Sequence, residues 1–191
     1  MQNANEKIVF EGKMIEIVHQ TFVTNGKEKI HERGRRAPGV RLIIETPLGE
    51  SLISKEQRPS IGEDFRLPGG KVFDSLKEYK DFLATNPTEE NILAKAKEAA
   101  VKEGEEEIGI RGTDIELFGI SNCGGSLDWD LYYFVVKDYE VGEQNPEDGE
   151  KIEPIKVSKE KLKELALSGA MQEDRSVAMI LKYLHSKNLY E

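Results

Sequence analysis

The sequence predicts an α/β fold in which helices cover both faces of a mixed β-sheet. Three observations predict this fold. Strand-like and helix-like segments are mixed along the chain rather than grouped in separate blocks. Two pairs of apolar runs meet at short turn sequences, Asn25-Gly26 and Pro47-Leu48-Gly49-Glu50. The chain also closes with two amphipathic segments whose apolar residues recur at helical spacing.

The N-terminal part is predicted to form antiparallel strands. Lys7–Gln20 alternates in polarity like a pair of strands, with a break at Glu11-Gly12. Thr21–Thr24 and Lys27–His31 flank Asn25-Gly26, and Asn-Gly suits a type I′ turn because both residues tolerate positive φ. We therefore expect a hairpin here.

The next elements are a second hairpin, a tight loop and a short helix. Arg41–Thr46 and Ser51–Lys55 are apolar runs on either side of a Pro-Leu-Gly-Glu turn. Leu67–Gly70 follows as a loop whose two glycines permit unusual backbone angles. Ser75–Leu83 has helical spacing of apolar residues, and Thr88 is placed to cap the next helix.

That next helix is predicted from Glu89 onwards, because the segment is rich in Ala, Glu and Lys. Gly109 is placed to end it as a left-handed residue. Two strands are predicted next, at Glu116–Ile120 and Asp130–Val136, and an acidic loop, Gly142–Glu150, leads to a third strand, Ile152–Val157. Two amphipathic helices follow, at Ser158–Leu167 and Arg175–Leu189.

Composition limits the classes of function. With 191 residues, 38% of them hydrophobic, the chain can bury the core of one domain. A formal net charge of −9 repels nucleic acid and anionic membranes, although His31–Arg36 forms a small basic patch, so we expect neither as a partner. The single cysteine, Cys123, excludes an internal disulfide framework and a cysteine-rich zinc site. It fits a reducing compartment, and without a signal or membrane-spanning pattern we expect a cytoplasmic protein.

The end of the long helix carries an unusual concentration of carboxylates. Glu103, Glu106 and Glu107 stand at i, i+3 and i+4, so they share one face and repel by about 0.2–0.5 kcal/mol per pair. They also lie at the helix C-terminus, where the macrodipole disfavours negative charge. A hard divalent cation would turn this repulsion into coordination. The alternative interpretation is a solvated acidic helix end.

The combination of Leu67–Val72 with Ala99–Ile110 resembles the signature of the Nudix hydrolase superfamily. In this resemblance the family's glycine falls on Gly70, its helix glutamates on Glu103, Glu106 and Glu107, and its closing pair on Gly109-Ile110. The resemblance implies a Nudix-like α/β/α sandwich with a mixed β-sheet and extra N-terminal antiparallel strands. It also implies that these glutamates hold Mg²⁺, or Mn²⁺, with the Gly69 carbonyl as a further ligand.

The chain departs from the family pattern in three ways. Phe73–Asn91 is an insertion between the glycine loop and the glutamate helix. The family's first glutamate falls on Ala94, and its arginine is Lys102, which lacks the planar fork of a guanidinium. A hydrophobic position is Gly104, which costs about 0.8–1.0 kcal/mol in a helix and which we interpret as a close-packing position.

Beyond this signature, most of the chain resembles the ADP-ribose pyrophosphatase branch. In that branch two arginines bind the diphosphate or the nucleotide, and Arg33 and Arg58 match their positions. A loop acid acts there as general base or metal ligand, and Glu150 matches it, with Asp148 as the alternative. Glu106 is expected both to bind the metal and to take part in catalysis. Where the branch has a loop proline, this chain has Cys123.

The resemblance implies a function and an organisation. It implies a Mg²⁺-dependent hydrolase that cleaves the diphosphate linkage of a nucleoside diphosphate sugar such as ADP-ribose, yielding a nucleoside monophosphate and a sugar phosphate. The alternative is a catalytically weak Nudix-like sensor of nucleotide ligands, and an unrelated calcium-binding protein ranks last. We expect one Nudix domain over residues 1–191, with a strand extension at 1–37, a helical insertion at 73–91 and a homodimer formed through the N-terminal strands.

Overall fold

A computed structural model describes residues 5–58 and 60–187. The described residues form ten strands and four helices. The strands are β1 Asn5–Glu11, β2 Ile15–Thr24, β3 Lys27–Arg36, β4 Gly39–Glu45, β5 Ser51–Arg58, β6 Gly62–Arg66, β7 Ile110–Ser121, β8 Leu127–Asp128, β9 Leu131–Val141 and β10 Ile152–Val157. The helices are α1 Leu76–Leu83, α2 Glu89–Ile108, α3 Lys159–Leu167 and α4 Asp174–Ser186.

The strands form two mixed sheets. The central sheet has the order β10-β5-β4-β9-β7, with β6 also paired to β5. Within it β4 and β9 are parallel, and the other pairs are antiparallel. The N-terminal sheet has the order β1-β2-β3-β8, in which only β3 and β8 run parallel. The extra N-terminal strands predicted from the sequence therefore form a second sheet, to which β8 is added.

Helices cover both faces of the central sheet because neighbouring residues of a strand point to opposite sides. Leu42 and Ile44 of β4 belong to a core that includes Ala96 and Ala100 of α2. Ile43, between them, belongs to a second core on the other face, which includes residues of α3 and α4. The result is the predicted α/β/α sandwich.

The local signals read from the sequence have the predicted geometry. Asn25 and Gly26 have φ of 52° and 71°, as a type I′ turn requires. Thr88 caps α2 in a capping box with Asn91, and Gly109 ends it in the left-handed conformation with φ 66°. Gly104 lies against a neighbouring strand: a Cβ there would be 3.0 Å from the Ile110 carbonyl oxygen. Its interpretation as a close-packing position is confirmed.

Some element boundaries differ from those expected. β6 was not predicted, because most of its residues are polar and partly exposed, so the apolar alternation that marks a strand is weak. β7 is longer than predicted and begins directly after Gly109. The predicted final helix extended to Leu189, and its residues 188 and 189 lie outside the described residues. In the described part, none of the helices combines the length and apolar character needed to span a membrane.

The segment Phe73–Asn91 contains α1, which rests on the N-terminal sheet. The Leu76 amide donates to the Lys13 carbonyl at 2.9 Å, and Leu76 is buried. Lys80 forms ion pairs with Glu11 and Glu16 at 2.9 Å each. Leu76 therefore packs as the helical spacing predicts, whereas Leu83, on the same apolar face, is 38% exposed.

Candidate active site

The end of α2 approaches the glycine loop closely enough for its glutamates to bond the loop backbone. The Gly69 amide donates to Glu107 at 2.6 Å, and the Lys71 amide donates to Glu103 at 3.1 Å. A Cβ at Gly69 would overlap the Val40 carbonyl oxygen, and its φ is 141°, so the loop needs glycine at that position. The loop is held to β4 by the amides of Val40 and Leu42. The backbone of α2 and the amides of the glycine loop thus fix the positions of the two carboxylates.

Burial makes these two carboxyls unusually hard to ionise. Burial raises the pKa of Glu103 to about 7, although the Lys71 amide opposes it. Burial raises the pKa of Glu107 to about 8, and the neighbouring charges of Glu103 and Glu56 add to this effect. Two acids with such pKa values beside each other are typical of functional sites, because a purely structural site gains nothing from their repulsion.

The third glutamate of the helix row makes a different contact. The Glu106 carboxylate lies 3.1 Å from the Lys102 ammonium, and Lys102 is the more exposed partner. This hydrogen bond raises the pKa of Lys102. Lys102 therefore supplies a positive charge beside Glu106 at the position where the resembling family has arginine.

Two arginines that the sequence analysis missed line the same pocket from the sheet. Arg41 of β4 is held by Glu173 through Nε and Nη2 at 2.8 Å each, and Arg66 of β6 donates to Glu173 at 2.9 Å. Burial raises the pKa of Glu173, but the two arginines and Ser176 outweigh it and lower that pKa to about 2. Nothing local in the sequence marks this cluster, because Glu173, at the start of α4, lies 132 positions from Arg41 and 107 positions from Arg66.

The strand β5 contributes an acid and an arginine on one face. Arg58 donates to Glu56 at 2.7 Å, and Arg58 is the more exposed of the two. Glu56 was not predicted, although its spacing of two residues from Arg58 in a strand implies a shared face.

Arg36, at the end of β3, places its guanidinium 4.3 Å from the centre of the Trp129 ring.

These groups surround a pocket of about 260 Å³ between the loop, α2 and the ends of β3 to β6. Among the described residues, acidic and cationic side chains line it in nearly equal number. The acids are Glu56, Glu103, Glu106, Glu107, Glu147 and Glu150. The cations are Arg36, Arg41, Arg58, Arg66 and Lys71. Such a pocket can neutralise an anionic ligand while offering carboxylates to a cation or to water.

The predicted site residues divide between this pocket and other places. The residues that line it are Gly69, Glu103, Glu106, Glu107, Arg58 and Glu150. Asp148 and Arg33 are not in the lining. Arg33 points into the N-terminal sheet, where it donates to Asp128 and, at 3.3 Å, to Gln20. Glu147, in the same loop as Glu150, lies 3.7 Å from the Lys71 ammonium.

The fit of this site to a divalent cation is mixed. Its carboxylates are the ligands that Mg²⁺ prefers, and Glu103 and Glu107 are destabilised as anions in its absence. In residues 5–58 and 60–187, however, no three acidic, histidine or cysteine side chains converge closely enough to hold a metal as they stand. Glu103 and Glu107 reach back to loop amides, and Glu106 reaches to Lys102. The carboxylate ligands therefore suit Mg²⁺, but the side chains of Glu103, Glu106 and Glu107 must rotate before they can bind one ion together.

Comparison with known proteins bears on the fold. No protein-family model matches the chain, and no curated protein matches it. Among solved structures, the chain is similar to a crystal structure of an ADP compounds hydrolase, with a TM-score of 0.72. The match has 15% sequence identity and covers 97% of this chain and 94% of that chain. At this identity the likeness concerns the fold alone, and it confirms the predicted Nudix-like α/β/α sandwich.

Proposed function

We propose that the protein is a Mg²⁺-dependent hydrolase that cleaves the diphosphate linkage of a nucleoside diphosphate sugar such as ADP-ribose. The products are a nucleoside monophosphate and a sugar phosphate. One observation carries the proposal: buried carboxylates with raised pKa and a set of arginines face each other across a single pocket. The similarity in fold to an ADP compounds hydrolase is consistent with this chemistry.

The proposed metal ligands are the carboxylates of Glu103, Glu106 and Glu107, with the Gly69 carbonyl as a further ligand. Mg²⁺, or Mn²⁺ in its place, would supply charge neutralisation at the diphosphate and a more acidic water. In its absence Glu103 and Glu107 bond loop amides, which keeps both carboxylates at the pocket wall. These bonds are single contacts that a carboxylate can exchange by rotation, so they do not commit the acids to a structural role.

The arginines are proposed to bind the diphosphate. Arg58 has an exposed guanidinium that can make two parallel bonds to a phosphate, and Glu56 orients it from one side. Arg36 lines the opposite part of the pocket and takes the role that Arg33 was expected to have. Arg41 and Arg66 lie deeper, where Glu173 holds them, and they add positive charge behind the phosphates.

The attacking water needs a base at the pocket edge. Glu150 lines the pocket from the loop between β9 and β10, and we propose it for this role. Glu106 is the alternative base, because it lines the same pocket and its ammonium partner, Lys102, is exposed. Asp148 belongs to the same loop but does not line the pocket, so it is the weaker candidate.

One observation favours a second candidate function, a weakly catalytic sensor of nucleotide ligands. Glu106, a proposed metal ligand, is paired with Lys102. An exposed lysine holds a carboxylate less rigidly than the planar fork of an arginine would. Such a protein would bind the ligand through Arg36 and Arg58 and turn it over slowly.

A substrate panel separates the two functions. ADP-ribose and other nucleoside diphosphate compounds are incubated with the protein and Mg²⁺, Mn²⁺ or a chelator, and nucleoside monophosphate release is measured. We expect metal-dependent release from at least one compound. Saturable ligand binding without any metal-dependent release would refute the hydrolase and support the sensor.

A further inference from the structure

A second cavity of about 520 Å³ lies beside the candidate active site, between α1 and the N-terminal sheet. We name it the α1 pocket. Leu76, Tyr79 and Leu83 of α1 form one of its walls. Arg36, Pro38 and Trp129 line both this cavity and the active-site pocket. These three residues form the boundary that the two cavities share.

Four of the six charged side chains that line the α1 pocket are paired with one another. The buried Glu16 lies 2.9 Å from Lys80 and 3.5 Å from Arg35. Asp128, on the other side of the pocket, lies 3.8 Å from Arg35. The active-site pocket instead is lined by six glutamates. The α1 pocket thus suits an uncharged group better than a second phosphate or a metal ion.

The remaining lining suits a flat ring. Tyr79 and Leu83 of α1 and Arg36 and Trp129 all line the pocket. The guanidiniums of Arg36 and Arg175 lie 4.3 Å and 4.8 Å from the centre of the Trp129 ring, so Tyr79 and the Arg36 plane are the surfaces on which a ring can stack. Aromatic rings and guanidinium planes can stack on any nucleobase, because every base has a π-face. Asp130, also in the lining, accepts a bond from Asn122 at 2.6 Å and places a carboxylate where a ring N–H or an exocyclic amine can donate. A neutral heterocycle with N–H donors meets both conditions.

We propose that the α1 pocket binds the nucleobase of the substrate whose diphosphate lies in the adjoining pocket, and that Tyr79 and Leu83 determine which base is accepted. This assignment rests on the proposed function for the identity of the ligand. It gives the segment Phe73–Asn91 a binding role and no chemical step. Binding of the base is independent of metal, because the carboxylates of the α2 end do not line the α1 pocket.

The chain offers a direct probe of this pocket. Trp129 is its single tryptophan, so intrinsic fluorescence reports on the boundary of the two pockets. Adenosine, guanosine and uridine, which carry no phosphate, are titrated into the metal-free protein. We expect saturable quenching by at least one nucleoside. Tyr79→Ala should weaken that binding about 5- to 150-fold, the range measured when a stacking ring is removed.

Matched variants separate a binding role from damage to the helix. Lys77→Ala lies on the exposed side of α1, where Lys77 pairs with Asp81, and should leave nucleoside affinity unchanged. Tyr79 also stacks on Phe73 with ring centres 5.1 Å apart, so its loss can disturb α1. Leu83→Gln therefore serves as a second variant, because Leu83 is 38% exposed and its replacement spares the core. It should weaken nucleoside binding while circular dichroism stays unchanged.

The outcomes distinguish this proposal from the hydrolase function. Inorganic pyrophosphate has the charge of the diphosphate and carries no base, so it should bind the folded Tyr79→Ala and Leu83→Gln variants as it binds the wild type. If the wild type releases nucleoside monophosphate but no nucleoside binds, the α1 pocket is not the base site and the hydrolase stands. Unchanged nucleoside affinity in both variants overturns the proposal as well. Nucleoside binding that both variants weaken, without hydrolysis of any substrate, supports the pocket and counts against the hydrolase.

Discussion

Replacing Glu107 by glutamine should stabilise the metal-free protein at alkaline pH and remove most of its activity. The pKa of Glu107 is raised from 4.5 to about 8 because the carboxyl is buried. The folded state therefore binds a proton more tightly than the unfolded state, and stability falls as pH rises between these two values. The slope is about 1.4 kcal/mol per pH unit, so ionisation costs on the order of 4 kcal/mol at pH 8.

Glutamine keeps the shape of the side chain and removes this cost. Its amide oxygen can accept the bond that the Gly69 amide now donates to Glu107 at 2.6 Å. We expect Glu107→Gln to be more stable than the wild type by a few kcal/mol at pH 8, on the order of the ionisation cost. Near pH 4 the two proteins should be almost equally stable, because the wild-type carboxyl is then protonated in the folded state and mostly protonated in the unfolded state.

The assay is urea unfolding in the presence of a chelator at several pH values, followed by metal-dependent hydrolysis for the same samples. Glu105→Gln is the matched control: Glu105 lies on the same helix end but is only partly buried, and it pairs with Arg111 at 3.0 Å. Its effect should stay below about 1 kcal/mol. A Glu107→Gln protein that is less stable at pH 8, or whose stability difference does not vary with pH, would refute the reasoning. Near-normal turnover would remove Glu107 from the metal site.

Four further predictions follow from the same structure. Arg58→Ala should raise KM about 10- to 100-fold by loss of charge-assisted bonds, and steady-state kinetics should show a smaller change for Arg33→Ala, whose side chain lies outside the pocket. Glu173→Gln should cost on the order of 3 kcal/mol in urea unfolding, since it unpairs buried arginines; because the pKa of Glu173 is lowered from 4.5 to about 2, its contribution should disappear as pH falls through that window. Shortening Phe73–Asn91 in a still folded protein should alter KM or substrate range more than metal dependence, and loss of all metal-dependent activity with normal ligand binding would instead assign it a catalytic group. Light scattering should show a homodimer at micromolar concentration, because apolar residues of the N-terminal sheet such as Phe10, 55% exposed, face solvent in one chain; a monomer would count against it.

Much of the fold could be predicted because its signals are local. The Asn25-Gly26 turn, the Thr88 cap and the Gly109 stop each depend on the backbone preferences of one or two residues. The carboxylate row of α2 was likewise readable, because helical spacing alone places Glu103 and Glu107 on one face. β6 was missed because its polar residues lack alternation, and its pairing with β5 supplies the hydrogen bonds that make it a strand.

The sequence by itself determined most of the strands and helices, the acidic end of α2 and the loop with two glycines. The tertiary structure decided which charges share the pocket. Arg41 and Glu173 are 132 positions apart and meet only because β4 lies in the centre of the sheet beneath α4. Arg33 and Arg36 are equally basic in sequence, but the end of β3 brings only Arg36 to the pocket. Residue spacing sets which side of its own element a side chain occupies, whereas contacts between elements depend on how the whole sheet buries its two faces.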